Sequence, residues 1–232
     1  MLGPVVIKLY YPSGFEGQSE FAGEGEVLDG PGDGSAVNSV PQSGCAISSG
    51  GLADVNGDNP LEVANAYASL NGSGLPDLLT VSGDPANGYS LNYFISGGAP
   101  CGFFQTFTTS ATLTPDGTAD WNEWTIATLS DDSGTGMFLW NQSTGALYLW
   151  QGVTAHDNGD GTGGLSYTQY LISSHWDQGK SLTTLEAADL NGDGVPDLWA
   201  VTPDGTARAY LIRDLSATGP AVITPQRVQK LS

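Results

Sequence analysis

The sequence predicts an all-β protein, specifically a β-propeller built from four-stranded antiparallel blades. Helix formers are scarce, whereas Gly, Ser, Thr, Asp and Asn are abundant, as in short strands joined by many turns. Apolar residues alternate with polar ones over short segments, a period typical of strands. A pattern also recurs at a fixed spacing. This favours a propeller over a two-sheet sandwich, which would have short strands but no such repeat.

The repeated segment sets the length of a blade. Its common pattern is Leu-Asn-Gly-x-Gly-x-Pro-Asp-Leu-x-x-Val, and its closing Asp falls at Asp77 and Asp197. A degenerate copy has Met137 at the same position, midway between the two, so the copies are evenly spaced. A second marker, a Gly before alternating apolar residues, recurs with the same spacing at Gly145 and Gly205. The period predicts blades at 61–118, 119–180 (with a decayed loop) and 181–232.

Each unit is predicted to contain four strands. The first strand runs into an Asp/Asn/Gly loop, and a buried apolar strand leaves that loop. An alternating third strand and a longer fourth strand complete the blade. The predicted ranges are 64–70, 124–129 and 184–190 for the first strands, 78–81, 138–140 and 198–201 for the second, 90–95, 147–150 and 207–212 for the third, and 103–113, 165–172 and 221–228 for the fourth.

Residues 1–60 contain no recognisable loop copy and are predicted to be a partial or degenerate blade. Segment 5–14 resembles a third strand, 37–49 an outer strand, and the acidic, Gly-rich stretch 14–35 a long surface loop. A propeller typically needs about 4 to 8 blades to remove its exposed sheet edges. We therefore expect another polypeptide segment or subunit to complete the ring, unless residues 1–60 hide a fourth blade.

The loop of the last unit has the composition of a calcium site. Asp189, Asn191, Asp193 and Asp197 supply side-chain oxygens at loop positions 1, 3, 5 and 9, and Val195 supplies a carbonyl at position 7. Calcium takes about six to eight oxygen ligands, so this spacing predicts bound Ca²⁺. Three crowded carboxylates would repel one another without a cation. The alternative is an Asx-rich turn without metal, since Asp, Asn and Gly favour turns in any case.

Other acidic loops are weaker candidates. The loop from Ser69 to Asp77 retains one carboxylate and is expected to be a hydrogen-bonded turn. The middle copy has apolar residues at its end-ligand positions and is not expected to bind a metal. The segment from Asp54 to Glu62 resembles the start of a loop, but it leaves no room for a blade before Ser69, and an inter-blade turn is the alternative. Segment 156–161 is expected to be a hairpin turn.

The Asp-x-Asn-Gly-Asp-Gly-x-x-Asp loop between two strands resembles the FG-GAP repeat of integrin α-subunit propellers and of secreted bacterial VCBS-type proteins. The resemblance covers residues 61–232. It implies a non-catalytic extracellular module for binding, cell adhesion or assembly, with a protein or glycan ligand. Because FG-GAP-like propellers include sugar binders, a carbohydrate-binding lectin is the alternative. An accessory part of a secreted polysaccharide-active enzyme is a third interpretation.

Composition limits the partners further. With 6 Lys and Arg against 25 Asp and Glu, the formal charge is −19, which disfavours nucleic acid and anionic membrane surfaces. No apolar run approaches the roughly 20 residues of a membrane-spanning helix. The acidity, few lysines and two cysteines fit an exported protein. Cys45 and Cys101 could form one disulfide bond or remain two buried thiols.

Catalysis finds little support in the sequence. His156 lies in a predicted turn and His175 lies beside Trp176, and neither is near a nucleophile elbow or a metal motif. Tryptophans could instead stack on sugars. We predict that Trp140, Trp150 and Trp199 belong to the core between blades. The better candidates for exposure are those that precede the first strands: Trp121, Trp124 and Trp176.

Overall fold

The computed structural model of the protein describes residues 7–8, 27–28, 54, 56–66, 70, 77–96, 104–131, 134–160 and 162–230. Within these ranges the chain forms antiparallel β-sheets and a single 3₁₀ turn at Trp121–Glu123. No helix in this part of the chain is long and apolar enough to cross a membrane. The all-β prediction, with four-stranded antiparallel sheets, is confirmed.

The strands follow one another in simple succession. β1 (Ile7–Lys8) and β2 (Val27–Leu28) form a separate two-stranded sheet. Sheet 1 consists of β3 (Pro60–Ala66), β4 (Asp77–Asp84), β5 (Gly88–Ser96) and β6 (Phe104–Thr109). Sheet 2 consists of β7 (Trp124–Asp131), β8 (Gly134–Asn141), β9 (Leu147–Asp157) and β10 (Gly163–Ser173). Sheet 3 consists of β11 (Thr184–Ala188), β12 (Asp197–Val201), β13 (Thr206–Arg213) and β14 (Val222–Pro225), with β15 (Gln229–Lys230) also paired to β13.

Sheet 2 lies between the other two and is buried on both faces. Successive residues of a strand point to opposite faces, and β8 illustrates this division. Met137 and Leu139 pack in a core with sheet 1, whereas Phe138 and Trp140 pack in a second core with sheet 3. The first strands are also neighbours, because β7 contacts both β3 and β11. The three sheets are therefore packed in chain order, with their first strands side by side.

Most predicted strands agree with the structure, and the differences have local causes. The first strand of sheet 1 begins at Pro60 and ends at Ala66, earlier than the predicted 64–70. The degenerate loop of the middle copy is a tight hairpin, in which Asp131 pairs with Gly134. β9 is longer than the predicted 147–150: it continues past Gly152 to Asp157 and has 11 residues in all. It continues because β10 pairs with it over that length.

The N-terminal predictions are tested only in part. Val27–Leu28 is a strand within the stretch 14–35 that was predicted to be a surface loop, and it pairs with Ile7–Lys8. Val27 and Leu28 are two adjacent apolar residues in this acidic stretch, and they form the short segment that pairs with β1. The predicted outer strand at 37–49 and both cysteines lie outside the described residues.

Candidate metal centre

The candidate calcium loop joins the first two strands of sheet 3. It begins after Ala188, which pairs with Asp197 at its base. Gly192 and Gly194 have φ angles of 74° and 82°, a left-handed conformation that costs glycine little. The two glycines let the chain curl tightly between the strands.

The carboxylate of Asp189 lies at the centre of this curl. Its Oδ1 accepts hydrogen bonds from the backbone N–H groups of Gly192 (2.7 Å) and Asp193 (3.2 Å), and its Oδ2 accepts one from Gly194 (2.9 Å). These backbone donors, Gly194 foremost, hold the pKa of the Asp189 carboxyl below its ordinary value. Asp189 is therefore ionised under physiological conditions, as a metal ligand must be.

The middle of the loop is held by side chain to backbone hydrogen bonds. The Oδ1 of Asn191 accepts from the N–H of Asp193 at 2.8 Å, and its Nδ2 donates to the Oδ2 of Asp193 at 2.9 Å. The N–H of Val195 donates to the Oδ1 of Asp193 at 2.8 Å. These are Asx turns, the conformation that Asp and Asn adopt readily in loops.

Asp197, at the end of the loop, is fully buried. Its Oδ1 accepts from the N–H of Ile212 at 2.7 Å, and its Oδ2 accepts from the N–H of Leu190 at 3.1 Å. Burial raises the pKa of this carboxyl, the two amide donors lower it, and the negative charges of Asp193 and Asp189 raise it again. Asp197 thus ties the loop to β13 and is electrostatically coupled to the other two carboxylates.

The donor set of this loop fits a hard cation, but its present conformation is that of a hydrogen-bonded turn. Three carboxylates and an amide offer only oxygen toward a cation, as Ca²⁺ prefers. An ionised carboxylate has about four acceptor sites, so two or three amide hydrogen bonds do not exhaust it. Among the described residues, however, no three His, Cys, Asp or Glu side chains are gathered to hold a metal ion. Asn191 and Asp193 instead hydrogen-bond each other and the amides of the loop.

The corresponding loop of sheet 1 shares its last anchor. The Oδ2 of Asp77 accepts from the N–H of Leu70 at 2.8 Å, just as the Oδ2 of Asp197 accepts from the N–H of Leu190. Both carboxylates are buried. The two loops thus share one buried side chain to backbone hydrogen bond. Most of the 69–77 loop, including Ser69, lies outside the described residues.

The segment from Asp54 to Glu62 is a turn followed by a strand. The Oδ1 of Asp54 accepts from the N–H groups of Asn56 and Asp58, both at 2.9 Å. The Oδ2 of Asp58 is buried without a hydrogen-bond partner, and burial together with the charges of Asp84 and Asp54 raises the pKa of Asp58. This agrees with a turn, which we gave as the alternative, rather than with the start of a metal loop.

Glu62 has a role that its sequence position did not indicate. It lies in β3 rather than in a loop, and its Oε1 accepts from the N–H of Ile126 in β7 at 2.6 Å. Burial raises the pKa of the Glu62 carboxyl to about 7, which the hydrogen bond from Ile126 lowers in part. This side chain joins the first strands of sheets 1 and 2. A charged residue in an otherwise small and apolar strand was the only available signal.

The tryptophan predictions were mostly wrong. Trp140 and Trp150 are buried as predicted, but Trp199 is partly exposed. The predicted exposure of three others is contradicted, since these side chains are only 1 %, 3 % and 6 % exposed: Trp121, Trp124 and Trp176. They pack between sheets; for example, Trp121 meets Trp150 edge to face at 5.9 Å. These three tryptophans cannot stack on a sugar at the surface.

The histidines show no arrangement typical of a nucleophilic centre. Both are exposed; Nδ1 of His156 lies 3.4 Å from the Oγ of Ser166, and Nδ1 of His175 lies 2.9 Å from the Oγ of its neighbour Ser174. The described part of the predicted hairpin turn, residues 156–160, takes in the end of β9 and leads toward β10, which pairs with β9 as a hairpin requires.

Comparison with protein-family models, with curated proteins and with solved structures finds no match to this chain. The resemblance to FG-GAP repeats therefore rests on the loop motif alone.

Proposed function

We propose that this protein is a non-catalytic, calcium-binding β-propeller module that serves extracellular binding, adhesion or assembly. The observation that carries the proposal is the loop of Asp189, Asp193 and Asp197, three coupled carboxylates on a scaffold of repeated sheets. Three carboxylates in one short loop repel one another unless a cation neutralises them.

The arrangement of the sheets supports the propeller interpretation. In a propeller, four-stranded blades follow one another around an axis lined by their first strands. Sheets 1, 2 and 3 follow in chain order, and β7 lies against β3 on one side and β11 on the other. Each sheet contacts the next through an apolar core. Ring closure is the remaining element of this proposal.

Calcium would be held by the side chains of Asp189, Asn191, Asp193 and Asp197 with the carbonyl of Val195. It would neutralise the mutual repulsion of the three carboxylates and so stiffen the connection between β11 and β12. Its contribution is structural rather than chemical, since the proposal includes no reaction.

The ligand is proposed to be a protein or a glycan in an extracellular setting. A charge of −19 favours a partner that tolerates or seeks acidic surface and disfavours nucleic acid. The burial of Trp121, Trp124 and Trp176 removes the three tryptophans that were the better candidates for stacking on a sugar, which weakens the lectin alternative. A protein ligand is therefore the better supported of the two, and a glycan array tests the other.

Thermal unfolding with and without calcium tests the proposal. Extracellular calcium modules have dissociation constants of about 10⁻⁴–10⁻³ M, so millimolar calcium should stabilise the chain by about 0.4–1.4 kcal/mol. Relative to a chelator, the melting temperature should rise, and Asp193→Ala should abolish the rise.

Asp157→Ala is the matched control. Asp157 is also exposed and also accepts a loop N–H, that of Gly159 at 2.7 Å, but it lies in the β9–β10 hairpin. This variant should respond to calcium as the parent does. If the Asp193 variant responds equally well, the 189–197 loop is only a turn.

A further inference from the structure

The outer strands of sheet 3 are basic, although the protein as a whole is acidic. They comprise residues 206–213 of β13 and residues 222–230, which include β14 and β15. We call these two ranges the basic edge. It contains four of the six Lys and Arg residues of the chain and none of its 25 Asp and Glu residues. The four are Arg208, Arg213, Arg227 and Lys230.

The corresponding strands of the other two sheets do not carry this charge. β5 and β6 of sheet 1 contain no charged residue, and β9 and β10 of sheet 2 contain one carboxylate, Asp157, and no Lys or Arg. The outer strands β6 and β10 use Thr, Ser and Gln at their polar positions. Neutral polar residues therefore suffice to form an outer strand in this fold, and the cations of sheet 3 are not needed for that purpose.

The cations of the basic edge are largely free of internal partners. Arg213, Arg227 and Lys230 are exposed. Nε of Arg213 lies 3.9 Å from the Oδ2 of Asp214, and these two side chains are 65 % and 74 % exposed. Such an exposed pair contributes little to stability. Neither Arg227 nor Lys230 forms an ion pair with another described residue. Their charges are thus available to a partner.

Two apolar side chains accompany these cations. Val222 is 39 % exposed and Val228 is 40 % exposed. Val222 pairs with Arg213 across the ladder, and Val228 directly follows Arg227. A partner of the basic edge therefore meets positive charge and apolar surface side by side.

The cations are spread along the ladder rather than gathered at one point. Arg213 pairs with Val222 at one end of β13, and Thr206 at the other end pairs with Lys230. At about 3.3 Å per residue, the two ends of β13 are about 23 Å apart. This spacing fits an extended chain that presents carboxylates at intervals, and it is too long for one small anion.

Side chains, rather than an added strand, are suited to hold that partner. Pro225 of β14 has no backbone N–H, and the N–H of Ala221 already donates to the carbonyl oxygen of Leu171 in β10 at 3.1 Å. Proline on an edge strand disfavours pairing with a further strand. Size is limited as well, because the acidic remainder of the chain repels a long polyanion, whereas a short acidic segment meets only the basic edge.

We propose that the basic edge binds a short, extended, acidic segment of a partner protein. The carboxylates of this segment pair with Arg213, Arg227 and Lys230, and its apolar side chains contact Val222 and Val228. The inference rests on the proposed function and deepens it, since it names the kind of protein ligand that the module binds.

Fluorescence anisotropy with the full chain tests the proposal. The probe is a fluorescein-labelled peptide of alternating Glu and Val, and the same peptide with Gln in place of Glu is its control. Both are measured at low ionic strength with a chelator present. The Glu peptide should bind saturably and more weakly as salt is added, because salt screens exposed charges. The Gln peptide should not bind.

Arg227→Gln/Lys230→Gln should weaken binding of the Glu peptide by about tenfold, since it removes two exposed ion pairs. Thr154→Glu/Thr168→Glu is the matched control, because it lowers the charge of the chain by the same amount at exposed positions of β9 and β10. This control should bind the peptide nearly as the parent does.

Three results would overturn the proposal: no saturable binding by the parent, equal weakening in the two double variants, or tighter binding of heparin than of the peptide. The last result would assign the basic edge to an anionic glycan. Because the chelator is present throughout, the readout does not depend on calcium. A failed calcium test therefore overturns the metal site alone, and failed peptide binding overturns this inference alone.

Discussion

Backbone amides donate hydrogen bonds to three carboxylates that are removed from water, two of them fully buried and one half-buried. Asp77 and Asp197 do so within their own sheets, and Glu62 does so across the boundary between sheets 1 and 2. Burying such a group is costly unless it is paired or hydrogen-bonded. Each of these three acids has at least one amide donor, so its position serves the fold whether or not a metal binds nearby.

Glu62 should make stability depend on pH. Burial raises its pKa from 4.5 to about 7, so the folded state binds the proton more tightly than the unfolded state. The stabilising effect is complete below pH 4.5 and is lost as the pH rises through 7. Relative to Glu62→Gln, the parent should lose up to about 3 kcal/mol of unfolding free energy between about pH 5 and pH 8.

Urea unfolding at several pH values measures this difference, with Glu123→Gln as the control because Glu123 is an exposed residue of the 3₁₀ turn. The glutamine at position 62 retains an oxygen that can accept from Ile126. If the unfolding free energies of the parent and of Glu62→Gln change in parallel over this pH range, ionisation of Glu62 does not destabilise the folded state and the prediction is wrong.

At the scale of the elements, the loop between the first and second strands is fixed by its final aspartate. The chain leaves the ladder of sheet 1 at Ala66 and returns at Asp77, whose carboxylate accepts from the buried Leu70. Sheet 3 uses the same device at Asp197 with a loop of different length. The aspartate is therefore a structural anchor in both sheets.

Asp77→Ala should destabilise the protein by about 1–3 kcal/mol, because it leaves the N–H of Leu70 buried without this acceptor. Asp77→Asn should cost less, since an amide oxygen can still accept. Chemical unfolding of each variant measures the change.

Asp120→Ala is the comparison variant, because the exposed Asp120 precedes the 3₁₀ turn without capping it through its side chain. Equal stability of the Asp77→Ala and Asp120→Ala proteins would show that the anchor contributes nothing.

The positions of strands were predictable where the alternation of apolar and polar residues and the flanking turn residues indicate the same segment. β13 and β7 match their predicted ranges closely for this reason. Strand ends were less predictable, because pairing decides them. Gly152 follows the predicted strand 147–150 and indicates its end. In the structure Gly152 has a φ of 62°, and β9 continues beyond it. A glycine in a bulge and a glycine in a turn look the same in a sequence.

At the scale of the whole molecule, packing between sheets decides what is buried. Trp121 precedes a first strand and reads as exposed, but its indole N–H donates to the carbonyl of Thr112 at 3.0 Å and its ring packs on Trp150. Local patterns carry no information on how one sheet lies against the next. The turn at 189–195 was predictable, since Asp189, Asn191 and Asp193 accept from amides two to five residues away, whereas Glu62 accepts from the distant Ile126.

We propose that the 189–197 loop binds a calcium ion within a stack of three sheets. A crystal structure of the full chain grown in millimolar calcium, with anomalous diffraction data, tests this most directly. We predict one anomalous peak about 2.3–2.6 Å from carboxylate oxygens of Asp189, Asp193 and Asp197, with sheets 1 to 3 arranged around a common axis. If no peak is present and these carboxylates still accept hydrogen bonds from the loop amides, the calcium site is wrong.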